Sequence, residues 1–460
     1  MAKTKTIYEC QHCGHQSAKW VGKCVECEMW NSYEEVSVLA SKGGNSVQQS
    51  RVKALENNKP KKIEEIRLDK VERLKTGIAE FDRVMGGGIT LGSLNLIGGE
   101  PGIGKSTLLM EVCGKITREK PEWKILYVSG EESESQIAQR SQRLGVRGDN
   151  FYILHQTCWE KIAEQINKLS PDFLVVDSIQ TTASESIPSA AGTVTQIREV
   201  TYELMNCAKS QGITSFIIGH VTKDGNISGP KVLEHMVDGV VYFEGDQYNY
   251  YRLLRVLKNR FGNTHEVGIF EMQEDGLREV HNPSQYFIEK SFDGAFGRSL
   301  SCVLEGTRPL FVEIQALVVE NKFGNGRRTT HGIDQNRLAM LVAVIEKYYE
   351  LPLFYQDIYV NVVGGLKLTQ RDSDLSVIAS LLSSYYKKPL NEKTLFLGEV
   401  GLTGEIRKIP MANIILKEVD LLQYERVVTS KRMDPKILAE LNLEVIGVEK
   451  ISDLRDYELF

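Results

Sequence analysis

The 460-residue sequence predicts an α/β protein with a smaller module on each side of its core, and three observations carry that expectation. A glycine-rich loop, "GGEPGIGKST" (Gly98 to Thr107), stands between apolar "LNLI" and "LLMEV". Short apolar runs alternate with helical patterns from residue 69 to about residue 275, the signature of a doubly wound sheet. Four cysteines near the amino terminus form C-x₂-C, ten residues, then C-x₂-C. The expected organisation is a knuckle over 1–36, a linker over 37–68, a nucleotide-binding core over 69–275, and an α+β domain over 285–460.

Composition narrows the function classes. A hydrophobic fraction of 42% and a charged fraction of 25% are ordinary for a soluble globular protein. The net charge of −5 gives no global basic field, so any nucleic-acid site has to be a local basic surface. The opening "MAKTKTIYECQHCGH" carries no apolar targeting core, and no long uncharged apolar run follows. A cytoplasmic protein with no membrane partner is expected.

Cys10, Cys13, Cys24 and Cys27 have the spacing of two short knuckles, "CQHCGH" and "CVECEMW". In a chain without a signal sequence that spacing means zinc rather than disulfides. All four tetrahedral positions are then filled by thiolates, so the metal is structural and supplies folding energy to a segment too short for its own core. His12 and His15 are alternative ligands, though solvent-facing neighbours is the plainer reading. Cys113, Cys158, Cys207 and Cys302 are scattered in apolar or helical settings and read as reduced core residues. The polar stretch from Ser37 to Leu68 reads as linker, and its "KPKK" as a solvated run or a phosphate contact.

From Gly99 to Ser106 the loop reads G-x-x-x-x-G-K-S after a strand and before a helix, the context of a P-loop. Gly99, Gly102 and Gly104 let the backbone curl its N–H groups toward phosphate oxygens, with Glu100, Pro101 and Ile103 between them. Lys105 reaches the β- and γ-phosphates of ATP, Ser106 is placed for Mg²⁺, and Thr107 continues the helix whose dipole favours the anion. "PDFLVVDSIQ" sets Asp177 at the carboxyl end of a buried strand, where it fits the acid that holds Mg²⁺ through water. Ser178 follows it, where many P-loop ATPases carry the glutamate that activates water. The base is therefore expected from "YVSGEESES", whose Glu131 and Glu132 end a strand expected beside the P-loop strand. Glu131 is favoured as base; helix-capping acids are the alternative for Glu132 and Glu134.

A P-loop, a glutamate after the second strand and a Walker B strand lacking its own glutamate resemble the RecA/DnaB-type motor core. With "LKNRFG" (Leu257 to Gly262), "EGTRPLFVEIQALV" (Glu305 to Val318) and the cysteine knuckle, the chain resembles the bacterial RadA (Sms) family over nearly its full length. That resemblance implies a RecA-type P-loop NTPase core, an N-terminal zinc knuckle and a C-terminal Lon-protease-like domain. It further implies a homo-hexameric ring that spends ATP on movement along single-stranded and branched DNA, drives branch migration in repair and recombination, and works with the RecA recombinase.

The resemblance also assigns residues. Lys258, Asn259, Arg260, Phe261 and Gly262 become a signature motif whose two cations reach a neighbouring subunit's nucleotide or DNA; on sequence alone, a surface solubility feature is the alternative. His220 sits where RecA-like cores carry a γ-phosphate sensor, or is a satisfied loop histidine. "TTASESIPSAAGTVTQ" and "VTKDGNISGPKVLEHMVDG" are long loops of the kind that line a DNA channel, with Lys223 and Lys231 as phosphate contacts. From about Gln285 the pattern is similar to the Lon proteolytic domain. Asp372 falls on the nucleophilic serine and Asn413 on the lysine, with Ser373 and Lys417 nearby. A Ser–Lys dyad needs both halves, so a protease fold without protease chemistry is expected. Two other functions compete with the motor. An ATP-dependent protease is opposed by Asp372 and Asn413, and a signalling ATPase of this superfamily often has a duplicated core where this chain has one P-loop.

Overall fold

The computed structural model describes residues 4–10, 15–17, 19–25, 27, 29–39, 72–220, 230–245, 251–280, 288, 294–321, 326–368, 370–422, 424–439 and 441–457. They fall in two compact units, Met1–Glu279 and Val280–Phe460.

The first unit begins with a three-stranded antiparallel ribbon, β1 (Thr4–Cys10), β2 (Gln16–Ser17) and β3 (Tyr33–Leu39), with β1 in the middle. Cys10 faces Tyr33 and Thr4 faces Leu39, so the last strand runs three residues past the expected end at 36. After the short pair β4 (Arg73–Leu74) and β5 (Ile89–Thr90) comes a nine-stranded sheet. Its parallel strands are β6 (Leu94–Gly99), β7 (Ile125–Ser129), β8 (Phe151–His155), β9 (Phe173–Asp177), β10 (Thr214–His220) and β11 (Gly239–Glu244). Three antiparallel strands extend one edge: β12 (Tyr251–Asn259), β13 (Val267–Gln273) and β14 (Gly276–Glu279). The order is β14-β13-β12-β11-β6-β10-β9-β7-β8. β14 pairs back on β13 through a tight turn, which carries this unit four residues beyond the expected boundary at 275.

Strands β6, β7 and β9 are buried along their whole length, as apolar runs covered on both faces must be. On one face the helix Lys105–Glu119 packs Leu108, Leu109, Val112 and Ile116 against Ile97, Tyr127, Val175 and Phe216. On the other, Trp159, Ile162, Ile166, Val200 and Leu204 meet Leu94, Leu96, Val128 and Val176. This is a doubly wound α/β core. One expectation fails: β7 is not beside β6, because β10 and β11 occupy both hydrogen-bonding edges of β6. β7 instead pairs with β9 and β8. Cys113 and Cys302 are core residues, whereas Cys158 and Cys207 are only half-buried.

The second unit is built on a mixed seven-stranded sheet. Its strands are β15 (Arg298–Glu305), β16 (Arg308–Glu320), β17 (Arg328–His331), β18 (Gln356–Val362), β19 (Thr394–Leu397), β22 (Arg426–Ser430) and β23 (Glu444–Val448). They are ordered β17-β18-β16-β15-β19-β22-β23, with a hairpin of β20 (Glu399–Val400) and β21 (Ile406–Arg407) apart from them. β18 ends earlier than "DIYVNVVGGLKL" suggests, because Gly364 turns the chain at φ 79°. Helices Gln335–Tyr349 and Asp374–Tyr386 share one core with β16 and β18, while Ala412–Leu421 packs in a second with β15, β19 and β22.

The helix Asp374–Tyr386 starts among buried acids. Asp374 accepts from Arg337 Nε at 2.9 Å, from Arg337 Nη2, and from the Val400 N–H at 3.1 Å. Asp372, 4% exposed, has an Oδ2 with no hydrogen-bond partner. Burial pushes its carboxyl up to about 6, helped by the charges of Asp374 and Glu399. A carboxyl whose folded pKa exceeds its unfolded one destabilises the fold when ionised, and that penalty fades as pH falls from about 6 toward 4. Asp372→Asn is therefore expected to stabilise this unit at pH 8 by about 2 kcal/mol. The advantage should shrink between pH 6 and pH 4 in thermal unfolding, and a gap constant over pH 4–8 would contradict it.

Candidate functional site

The parallel strands end along one edge, and the chemistry-bearing residues of the core gather there. Gly99 is in register with His220, and Ser129 with Asp177. The P-loop leaves β6 through glycines that no other residue replaces. Gly99 has φ 154°, and a Cβ there would lie 2.6 Å from the Phe243 carbonyl oxygen; at Gly104, φ 116°, it would lie 2.6 Å from Met272 Cε. Ile103, 6% exposed, pins the loop to the core, while Pro101 and Gly102 face solvent and Glu100, Ser106 and Thr107 are half-buried.

Lys105 is 3% exposed, and its Nζ donates to the Gly99 and Glu100 carbonyls, each at 2.8 Å. Burial lowers this ammonium to about 8, against the opposing pull of Asp177, Glu131 and Glu100. Asp177 is buried at the end of β9, and Tyr127 donates its hydroxyl to Asp177 Oδ2 at 2.6 Å. Glu131 Oε1 accepts from the Ser178 hydroxyl and lies 2.9 Å from His220 Nε2. Burial by itself would raise the Glu131 carboxyl; the Ser178 hydrogen bond, His220 and Lys105 outweigh it and hold the group below its usual range. The two glutamates differ, since Glu132 is paired with Arg140 instead. Neither Glu132 nor Glu134 caps the following helix: Ser133 does, in a capping box with Gln136, and Glu134 lies in the first turn.

The structure therefore brings Lys105, Glu131, Asp177 and His220 to one edge, and it does not bring Lys258 and Arg260 there. β12 runs antiparallel to β11, so Asn259 faces Gly239 and Lys258 faces Val240, at the amino end of β11. Gly239 is beside Asn95, whereas Phe243 is beside Gly99. Four residues of strand, roughly 13 Å at about 3.3 Å each, separate the motif from the P-loop edge. Arg260 Nη1 bonds Asp238 at 3.0 Å, and Lys258 Nζ donates to the Glu234 carbonyl at 2.6 Å. Asn259 Oδ1 accepts from the Phe261 N–H, Gly262 closes on Asn259, and Arg73 clasps the Phe261 carbonyl. The loop after β9 is fastened by Gln196, whose amide accepts from the Ser184 N–H and donates to the Ser189 carbonyl. Lys223 lies outside the described residues; Lys231 falls in the helix Pro230–Glu234, and its side chain is not described.

Sequence reasoning missed Tyr127, Arg73 and Asp238. Tyr127 reads as a strand aromatic, and only the pairing of β7 with β9 reveals its polar partner.

In the ribbon, Cys10, Cys24 and Cys27 hold their sulfurs within 4.8 Å of one another, with Cys10 Sγ 3.6 Å from Cys27 Sγ. A tetrahedral zinc with Zn–S bonds near 2.3 Å sets sulfurs about 3.8 Å apart, so these donors fit a structural zinc. Cys13 and His12 lie outside the described residues. His15 is half-buried, not solvent-facing: its Nδ1 is 2.7 Å from the Tyr33 hydroxyl, which in turn donates to Cys24 Sγ at 3.5 Å. It supports a ligand from behind. The freshly purified protein is expected to carry one zinc per chain by elemental analysis, and Cys10→Ser, Cys24→Ser or Cys27→Ser to lose most of it. Full zinc in all three variants would refute the centre.

Among the described residues the second unit assembles no Ser–Lys dyad. Ser373 Oγ is buried without a hydrogen-bond partner. Lys417 is exposed and lines an open pocket of about 200 Å³ with Asn413, Lys436, Ile437 and Leu441.

Residues 60–226 match the family model described as an AAA domain, and residues 8–35 the rubredoxin metal binding domain. The DNA repair protein RadA of Streptococcus pyogenes serotype M6 is 46% identical over 456 residues, 99% of each chain. That of Bacillus subtilis strain 168 is 46% identical over 98% of each chain, and that of Listeria monocytogenes 45% identical over 98% of each. Among solved structures, a KaiC-like protein of Pyrococcus horikoshii OT3 overlays with a TM-score of 0.39 and 21% identity, covering 46% of this chain and 100% of its own. With near-complete mutual coverage at this identity, the chain belongs to the RadA family of bacterial DNA repair proteins.

Proposed function

We propose that the protein is a DNA repair ATPase that acts as a DNA-stimulated ring motor in homologous recombination. In this reading six copies encircle DNA, hydrolyse ATP at their interfaces, translocate on single-stranded or branched DNA and drive branch migration. One observation carries the shared site: Lys258 and Arg260 lie at the amino edge of the parallel strands, away from their own P-loop. Cations placed there serve a neighbouring subunit or DNA rather than their own nucleotide.

The chemistry then divides among named groups. The loop from Gly99 to Thr107 cradles the polyphosphate, and Lys105 exchanges its two carbonyl partners for phosphate oxygens. Ser106 and Asp177 are the groups that would hold Mg²⁺, which supplies charge neutralisation on the β- and γ-phosphates. Glu131 accepts the proton of the attacking water; its depressed pKa keeps it ionised at neutral pH, and His220 and Ser178 aim it. Arg260 of a neighbouring copy stabilises charge on the transferring phosphoryl group. Lys223 and Lys231, both in the stretch of chain that follows β10, contact DNA phosphates, and the zinc ribbon engages the RecA recombinase. The second unit is a Lon-like domain without peptidase chemistry, used for assembly or DNA contact, in a cytoplasmic protein.

Lys105→Ala is expected to cut ATP turnover by about a hundredfold or more in a chain that still folds. Wild-type turnover in that variant would sink the site assignment. ATPase rates should rise when single-stranded DNA is added to the wild type. Arg260→Ala should bind nucleotide yet hydrolyse poorly, because Asp238 keeps Lys209 and the Leu94 N–H as partners. Mixing it with Lys105→Ala, each inactive alone, should restore part of the turnover through interfaces with both halves intact. No rescue under conditions where subunits demonstrably exchange would remove the shared site and leave the P-loop standing.

A further inference from the structure

We infer that Tyr127 is a positioning residue for the metal-holding acid: its hydroxyl fixes the Asp177 carboxylate so that one oxygen is reserved for Mg²⁺-bound water. The inference rests on the assignment of Asp177 to Mg²⁺ made above.

The placement follows from strand register. Tyr127 is opposite Val175 on the neighbouring strand, and side chains alternate along a strand, so Asp177 lies on the same face as Val175. Tyr127 and Asp177 are therefore diagonal neighbours, about 7–8 Å apart at their backbones, a gap that a phenol ring spans and a serine or threonine does not. The face they share is the one covered by the P-loop helix, where Tyr127 packs with Leu109, Cys113 and Val175. Its ring is fully buried, which fixes the direction of the hydroxyl. That hydroxyl donates to Asp177 Oδ2 at 2.6 Å, and Asp177 itself is 5% exposed.

Three consequences distinguish this hydroxyl from an ordinary satisfied core group. It occupies one carboxylate oxygen and leaves Oδ1 as the available acceptor. It blocks rotation of the carboxylate, so that oxygen keeps one direction relative to Ser106 on the P-loop helix. It is also neutral, and so restrains Asp177 without cancelling the charge that attracts the metal. An arginine or lysine in that position would hold the carboxylate equally well and compete with the cation. The same division of labour holds in metal sites generally, where an outer partner orients the ligand that touches the metal or its water.

The test compares wild type, Tyr127→Phe, Asp177→Asn and the double variant, all as full-length chains. Two readouts are taken: the Mg²⁺ concentration that half-tightens binding of a fluorescent, non-hydrolysable ATP analogue, and the Mg²⁺ dependence of ATPase rate. Tyr127→Phe keeps the packed ring and deletes one oxygen. It is expected to raise the half-saturating Mg²⁺ about tenfold, the low end of what losing an outer partner costs. Its binding of the analogue in EDTA and its thermal midpoint in EDTA should stay near wild type. In the Asp177→Asn background the same change should add little, because the hydroxyl acts through the carboxylate. An unmoved or lower Mg²⁺ requirement in Tyr127→Phe, or a full additional effect in the double variant, would overturn the inference. So would a Tyr127→Phe chain that fails to fold, which would assign the hydroxyl to the core. If Asp177→Asn itself leaves the Mg²⁺ requirement unchanged, the fault lies in the Asp177 assignment.

Discussion

The buried ammonium of Lys105 is the constraint around which the nucleotide edge is arranged. A charge taken this far from water costs several kcal/mol unless it is closely compensated. Compensation comes from two loop carbonyls at 2.8 Å and from the fields of Asp177, Glu131 and Glu100. Two of those acids sit on or just beyond strands that are distant in sequence, so the ion can be buried only once the sheet has formed. The converse also holds. Acids crowded at one edge would repel one another without a cation among them; at Glu131 the Ser178 hydroxyl and His220 outweigh burial and hold the carboxyl below its usual range, with Lys105 adding to them. Loop, sheet order and acid placement are in this sense a single electrostatic solution.

Sequence patterns disclose the parts of this arrangement that are local. The P-loop is legible because its glycines answer to backbone geometry within ten residues, and β6, β9 and β10 because strands covered on both faces read as unbroken apolar runs. Sheet order is not local. The sequence pattern suggests β7 beside β6, but two strands intervene, and Glu131 still reaches Ser178 and His220 because β7 borders β9. The choice between Glu131 and Glu132 as base was open in the sequence for the same reason. Their surroundings differ through Arg140 on the next helix and His220, 89 residues away. Tyr127 shows the limit most clearly, since nothing along its own strand marks it as polar in purpose.

The second unit is a contrasting case. The buried acids at the start of the helix Asp374–Tyr386 are handled by one strong pairing, Arg337 with Asp374, and one group left short of partners, Asp372. A serine hydroxyl activated by a lysine needs that lysine close by and partly desolvated. Here Ser373 is enclosed without a partner, and Lys417 faces solvent. The position expected to align with a protease nucleophile thus carries a buried carboxyl short of partners, Asp372.

The location of the KNRFG motif bears on why such a protein would assemble. Within one chain, Arg260 is held by Asp238, whose carboxylate also accepts from the Leu94 N–H at the start of β6. The motif is thereby fastened to the strand that carries the P-loop, but at the other end of it. A rigid strand joins the two, and neither can approach the other without breaking the sheet. If Arg260 serves hydrolysis, it must do so at another copy's carboxyl edge, and each copy then presents one half of a site at either end of the same strand. Such a head-to-tail relation closes into a ring when the rotation between copies permits, with every P-loop completed by its neighbour. Nucleotide state at one interface would then be felt, through β6, at the next.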